Sequence, residues 1–417
     1  MCRFGPSRPA VRRGPSDAIG RDSGHSGAPR PLAARPTRAD TGTVRPATAT
    51  AAAVTTLIGV GAALYAAGRY ASDAALNAPP GRALPGDPRL TVHATGPGRI
   101  TLTRSLAALR PGTYGIEGPD VHAVVGPVLD HVPHTADTVV RRLERVEQGA
   151  LQTGARVRFT PQLHTGTPLS ALGVDYQDVD IPGELGSLPA WHVPGPRRTW
   201  VITLHGLGTT RQHPLNLLPF LHRRQIPVLM PAYRGDPGAP SSPDGLGHLG
   251  DSEWRDVDAA IRHAVRHGAE KVVLYGWSTG ATMALHAAVG SGLRERVAGL
   301  VLDSPVLDQE ATLRALAAAR HTPGPLLPLA VRAARSRSGL GESPLETADP
   351  QALRVPTLLF HGPDDTIAPW EASRELAALR PDLVNLRVVP HAPHAAMWNA
   401  DPTPYEEALR RFLVPLL

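Results

Sequence analysis

Cysteine is all but missing from this chain, with Cys2 the only one in 417 residues. An internal disulfide framework and any cysteine-based metal cluster are thereby excluded. Lysine is almost as scarce: Lys271 stands alone, and arginine carries every other positive side-chain charge. Outside the N-terminal tail there is no excess of positive charge either. The formal +6 resides in residues 1–46, where nine Arg face Asp17, Asp22 and Asp40, and the rest of the chain balances 34 basic against 34 acidic residues. A basic folded surface for nucleic acid is therefore absent, and no nucleic-acid partner is expected. No internal repeat is present. The 44 Pro and 41 Gly fall below the level of a chain disordered throughout, and collagen or a multispan membrane protein is excluded as well.

What is there divides into five stretches. Residues 1–46 are dense in Pro, Gly, Ser and Arg and cannot bury enough apolar surface to offset ordering entropy, so a disordered tail is expected. Residues 47–70 are the expected single N-terminal helix, a membrane signal anchor. Ala47 to Gly68 carries no charge, and as a helix it would span about 33 Å, the thickness of a bilayer core. Nine Arg precede it, which predicts the N-terminus inside and the folded part outside the cell membrane. A cleaved signal peptide and an Ala-rich helix that never meets lipid are the alternatives, placing the chain as secreted or as soluble in the cytoplasm. Residues 71–88 read as a linker punctuated by Pro79, Pro80, Pro85 and Pro88.

From 89 to 190, short β-branched segments alternate with Gly and Pro. Leu90–His93, Arg99–Thr103, Ala155–Phe159 and Asp178–Ile181 predict a small β-rich domain. Val139–Gln148 fits a strand or a helix. From 191 to 417 apolar strands alternate with helical stretches, the pattern of a mostly parallel sheet covered on both faces. Ser252–His267 reads as an amphipathic helix capped by Ser252.

The chemistry concentrates at Gly276-Trp277-Ser278-Thr279-Gly280, which follows an apolar run and precedes a helical stretch. That strand–turn–helix context is what a nucleophile elbow requires. On these residues the chain resembles the α/β-hydrolase superfamily over roughly residues 190–417. The resemblance implies an α/β-hydrolase fold behind the β-rich domain, and a triad in the order Ser, acid, His. Ser278 falls on the nucleophile. His361-Gly362-Pro363-Asp364-Asp365-Thr366-Ile367-Ala368-Pro369 is similar to the family's acid loop and places Asp365 on the acid. His391-Ala392-Pro393-His394 stands where the histidine belongs, and His394 matches better. Asp364 and Asp303 stay open as acids, and His391 as the base. His205-Gly206-Leu207-Gly208 resembles the family's oxyanion loop, which assigns one backbone donor to Leu207 and the other to Thr279, with Gly206, Gly276 and Gly280 as motif glycines. His205 is read as a loop brace, and Arg234 as a partner of Asp251 or Asp256.

A short cap is expected at about 304–350, with Leu313, Leu316, Leu326, Leu327 and Leu329 lining an acyl pocket or packing on the sheet. Residues Tyr233–Glu253, the elbow and His394 through Asn399 are similar to membrane-anchored actinobacterial α/β hydrolases, and the dominance of Arg agrees with a GC-rich genome. The expected function is a serine hydrolase that cleaves small or medium acyl esters or thioesters through an acyl-enzyme. Peptide bonds remain possible, but residues 89–190 are too few for the β-propeller of an oligopeptidase. A cell-envelope acyltransferase and a non-catalytic scaffold are the other readings. No cofactor and no metal is expected, and the oligomeric state is left open.

Overall fold

The computed structural model describes Leu84, residues 88–338 and residues 350–417. The expected tail at 1–46, the anchor at 47–70, most of the linker and the cap stretch 339–349 lie outside the described residues. Among the described residues no helix is long and apolar enough to cross a membrane.

Six strands come first: β1 (Leu90–Gly96), β2 (Arg99–Thr103), β3 (Tyr114–Gly118), β4 (Val121–Val128), β5 (Thr138–Gln148) and β6 (Arg156–Thr160). They close into a barrel in the order β1-β2-β5-β4-β3-β6. Alternation drives the closure. Val92, Ile100, Leu102, Tyr114, Ile116, Val157 and Phe159 point inward and are buried, while their sequence neighbours point out. Val139–Gln148 is thus a strand, β5, paired on both edges. Arg141 of β5 points inward with the apolar set and is fully buried. Its guanidinium donates to the carbonyls of Ala108 (3.0 Å), Arg110 (2.7 Å), Gly112 (2.8 Å) and Gly126 (2.8 Å). These bonds tie the turn after the short helix α1 (Leu106–Leu109) to the barrel wall.

After α2 (Pro168–Leu172) come the strands of the second domain: β7 (Gln177–Pro182), β8 (Ser187–Val193), β9 (Thr199–Leu204), β10 (Val228–Pro231), β11 (Lys271–Trp277), β12 (Val297–Asp303), β13 (Thr357–His361) and β14 (Val384–Val388). They form one sheet in the order β14-β13-β12-β11-β9-β10-β8-β7, with the short helix α3 (Leu218–His222) between β9 and β10 in the chain. The six strands β9 to β14 run parallel, and β8 runs antiparallel between β10 and β7. The expected boundary at 190/191 therefore cuts through the sheet. The barrel closes with β6, and the β7–β8 hairpin is the edge of the large sheet. Asp178–Ile181 looked like part of the first domain because β7, as an edge strand, is mostly exposed and carries little apolar signal.

The central strands are buried on both faces, so alternate residues feed two cores. Ile202, Leu204, Leu274 and Leu302 pack against α4 (Trp254–Arg266) and α5 (Thr279–Gly290). Val201, Val273, Tyr275, Val301 and Phe360 pack on the other face, against Leu409 and Leu413 of the C-terminal helix Pro402–Leu413. Each such side chain contributes about 1.5–3 kcal/mol when fully buried. Ser252 does not cap α4. Its hydroxyl bonds His248 Nδ1 at 2.7 Å, and Glu253 holds the cap position.

The barrel sits on this domain through buried amides. Asn399 Nδ2 donates to the carbonyls of Thr113 and Pro161, both at 2.9 Å, and the Thr113 N–H returns a bond to the Asn399 carbonyl. Asn216 donates to the Pro161 carbonyl (2.8 Å) and accepts from the Leu163 N–H (3.0 Å).

Candidate active site

β11 runs out of the sheet into Ser278, whose backbone stands at φ 53°, ψ −121°. Few non-glycine residues tolerate positive φ, and strain of this kind persists where neighbours enforce it. Here the neighbours are glycines. A Cβ on Gly280 would collide with the Leu204 and His205 carbonyls, and one on Gly276 with Gly280. A Cβ on Gly206 would stand 2.7 Å from the Ser278 Cβ. The three motif glycines are thus what lets the His205–Gly208 loop, β11 and α5 converge on one hydroxyl. Thr279 opens α5 directly after it.

The loops after β13 and β14 bring the partners. Ser278 Oγ lies 2.7 Å from His394 Nε2, and His394 Nδ1 lies 2.7 Å from Asp365 Oδ2. An ionised carboxylate only accepts, so Nδ1 carries the proton and Nε2 is left to accept from the serine. Ser278 is 1% exposed. Burial alone raises the Asp365 carboxyl. The charge and hydrogen bond of His394, together with those of His361, outweigh it and hold the group well below the usual carboxylate range. His361 Nε2 donates to the same Oδ2 at 3.0 Å, and its Nδ1 faces Ser373 Oγ at 2.7 Å. Oδ1 accepts from the Ile367 and Ala368 N–H groups, each at 2.9 Å.

The rival residues stand elsewhere. Asp364 accepts from the His391 N–H at 2.7 Å, at the exposed start of the histidine loop. Asp303 is buried against Ser304 Oγ (2.8 Å) and the Tyr405 hydroxyl (3.0 Å). It braces rather than orients: Ser304 Oγ also accepts from the N–H of Ala395, the residue after His394, at 3.0 Å. Burial pushes the Asp303 carboxyl up to about 7 despite the two hydroxyls.

His205 is buried, with Nε2 2.7 Å from Asp236 Oδ2, and its ring stacks on Tyr233 at 4.3 Å. That contact fixes the loop carrying Leu207. Arg234 pairs with Asp256 (2.8 Å) and with Glu184 (3.0 Å), not with Asp251. Ser304, Asp236 and His361 were not read from sequence as site residues. His361 had a local signal as the first residue of the acid-loop motif, and Asp236 lies within the Tyr233–Glu253 stretch of the resemblance.

Two cavities meet at Leu207-Gly208-Thr209. One, of about 430 Å³, is lined by His394 and Pro393 on one side and by barrel residues, including Tyr114 and Phe159, on the other. The second, of about 310 Å³, is lined by Leu207, Thr279, Tyr233, Leu246, Leu249 and Met283. Leu207 and Thr279 thus line the same cavity. The expected acyl-pocket leucines do not line either cavity. Leu313 and Leu316, on the helix Gln309–Ala319, are buried in a cluster with Val306, Val331, Ile367 and Ala368, and Leu329 is exposed. Leu313 and Leu316 pack rather than bind, because the helix presses them against Ile367 and Ala368 of the acid loop.

Residues 201–413, half of the chain, match the model described as "Alpha/beta hydrolase family", and residues 91–160 match a "Domain of unknown function (DUF8805)". The Escherichia coli O157:H7 protein called "Uncharacterized protein YfhR" is 27% identical over 237 residues, covering 55% of this chain and 77% of that protein. The Pyrococcus furiosus esterase Pf2001 is similar in structure at 22% identity and a TM-score of 0.51, covering 60% of this chain and 94% of its own. At that identity the likeness is one of fold.

Proposed function

Because this chain belongs to the alpha/beta hydrolase family, we propose that it hydrolyses carboxylic esters through an acyl-enzyme on Ser278. The observation that carries the reading is the continuous relay of two 2.7 Å contacts from Ser278 Oγ through His394 to Asp365. A serine hydroxyl is a weak nucleophile alone. As Oγ attacks the ester carbonyl, Nε2 of His394 takes its proton, and the Asp365 carboxylate stabilises the imidazolium. Negative charge moves to the carbonyl oxygen, where the N–H groups of Leu207 and Thr279 receive it. The intermediate collapses by expelling the alcohol, which leaves with the proton from His394. Water then repeats the sequence on the acyl-enzyme and releases the acid. Thioesters share this chemistry. No step calls for a metal or an organic cofactor.

The second cavity suits a small or medium acyl group. The barrel residues that wall the cavity beside His394 support acyl transfer to an alcohol as a second reading, in which the acceptor replaces water. The uncharged stretch 47–68 behind an Arg-rich tail supports placing the catalytic domain outside a cell membrane on a single anchor, in keeping with the resemblance to membrane-anchored actinobacterial hydrolases. Membrane fractionation and protease shaving of intact cells test that placement. The function itself is tested with p-nitrophenyl acetate and propionate. The full chain should turn them over, and Ser278→Ala should retain less than about one thousandth of kcat. Equal rates in both would contradict the proposal, and added glycerol that diverts product to glyceryl ester would favour transfer.

A further inference from the structure

The barrel's outer face carries a row of polar side chains that the reaction above does not use. Arg158 of β6 stands opposite Glu117 of β3. Glu117 stands opposite His122 of β4, and His122 opposite Gln148 of β5. Residues directly opposite on paired strands share a face and stand about 5 Å apart. The inward neighbours Ile116, Val121 and Val157 fill the barrel, so this row faces out. All four line the 430 Å³ cavity that His394 also lines. His122 is 6% exposed, and its Nε2 has no hydrogen-bond partner among the described residues. Buried polar atoms are nearly always paired, so this one is placed to meet whatever enters the cavity.

The reaction decides which part of the substrate that is. His394 must hand its proton to the departing oxygen, so the leaving alcohol occupies the cavity His394 lines. The acyl group is then left the second cavity, which Thr279 and Met283 line. We propose that the row Arg158–Glu117–His122–Gln148 binds the alcohol part of the ester, and that this alcohol is a neutral polyol of the sugar type. The inference rests on the ester-hydrolase reading of Ser278.

The charge pattern selects the class. Arg110 and Arg158 face Glu117 and Asp120 in the lining of this cavity, so its charges balance and favour neither an anion nor a cation. Burial lowers the His122 pKa and keeps its ring neutral. The row therefore combines a pure donor in Arg158, a pure acceptor in Glu117, which also has a partner within the protein, and two groups that do both, His122 and Gln148. Hydroxyl groups, each donor and acceptor, match such an alternation. A plain alkyl alcohol would leave the His122 Nε2 buried and unpaired, which costs binding.

The test holds the acyl group constant and changes the alcohol. The full chain is assayed on 6-O-acetylglucose, ethyl acetate, acetylcholine and O-acetylserine, with fluorophosphonate labelling of Ser278 in parallel. The expected kcat/KM for acetylglucose exceeds that for each other ester by at least about tenfold. In Glu117→Gln and in Gln148→Ala, the acetylglucose-to-ethyl acetate ratio should fall by about threefold or more. Gln148 is exposed, so its truncation does not threaten the fold. Equal or better turnover of ethyl acetate, or a preference for the charged esters, would overturn the polyol assignment while labelled Ser278 left the hydrolase reading standing. Ratios unchanged in both variants would overturn the role of the row. Absence of labelling would overturn both readings together.

Discussion

Asp365 is shared between two imidazoles, and its other oxygen is held by two backbone N–H groups. A carboxylate held this firmly fixes the tautomer of His394 and stabilises its imidazolium. Asp365→Asn would present an amide N–H to a ring nitrogen that must itself donate, so kcat should fall about 10³–10⁴-fold with little change in KM, as steady-state kinetics on p-nitrophenyl acetate would read. Asp303 behaves in the opposite way. Its carboxyl is pushed up to about 7 by burial, whereas the unfolded chain ionises it near about 3.9. Between those values the folded protein keeps a proton that the unfolded chain has released. Its contribution to stability is therefore complete below about pH 4 and is lost as pH rises through about 7. Asp303→Asn mimics the protonated form, so thermal melts of the variant should lose less Tm than the wild type between about pH 5 and pH 8.

At the scale of elements, Arg141 shows how much one residue organises. Its guanidinium reaches four carbonyls on two sides of the barrel. Burial brings its pKa down to about 10, still fully charged at neutral pH. Lysine has a compact head with three donors and cannot match that planar fork. Arg141→Lys should lower stability by about 2–4 kcal/mol in urea unfolding, because buried carbonyls lose their donors. The elements differed in how readily they could be read. The elbow was legible because its glycines, serine and strand lie within a few consecutive residues. The acid and histidine loops were legible from their motifs, but the choice among Asp364, Asp365 and Asp303 waits on which carboxylate reaches an imidazole. β7 was misplaced because a mostly exposed edge strand carries no apolar signature of the sheet it joins. The row on the barrel was invisible, since Glu117, His122, Gln148 and Arg158 are brought level only by strand register and by the bulges in β4–β5.

For the whole molecule, the barrel and the sheet domain are coupled through Asn399 and Asn216, with Gln162 Nε2 donating to Gln212 Oε1 at 2.8 Å. Asn399 is 1% exposed and satisfies two carbonyls of the barrel's docking loops. Calorimetry should show one cooperative transition for the wild type. Asn399→Ala should separate barrel and sheet melting by several degrees and reduce turnover, since one wall of the cavity beside His394 comes from the barrel. The account stands above all on Ser278 being an activated nucleophile inside this assembly. The direct measurement is to treat the full-length protein with a fluorophosphonate and locate the adduct by mass spectrometry. The account predicts stoichiometric labelling on the Ser278 peptide, lost in Ser278→Ala and greatly slowed in His394→Ala. A folded wild-type protein that takes up no label, or carries it on another residue, would contradict it.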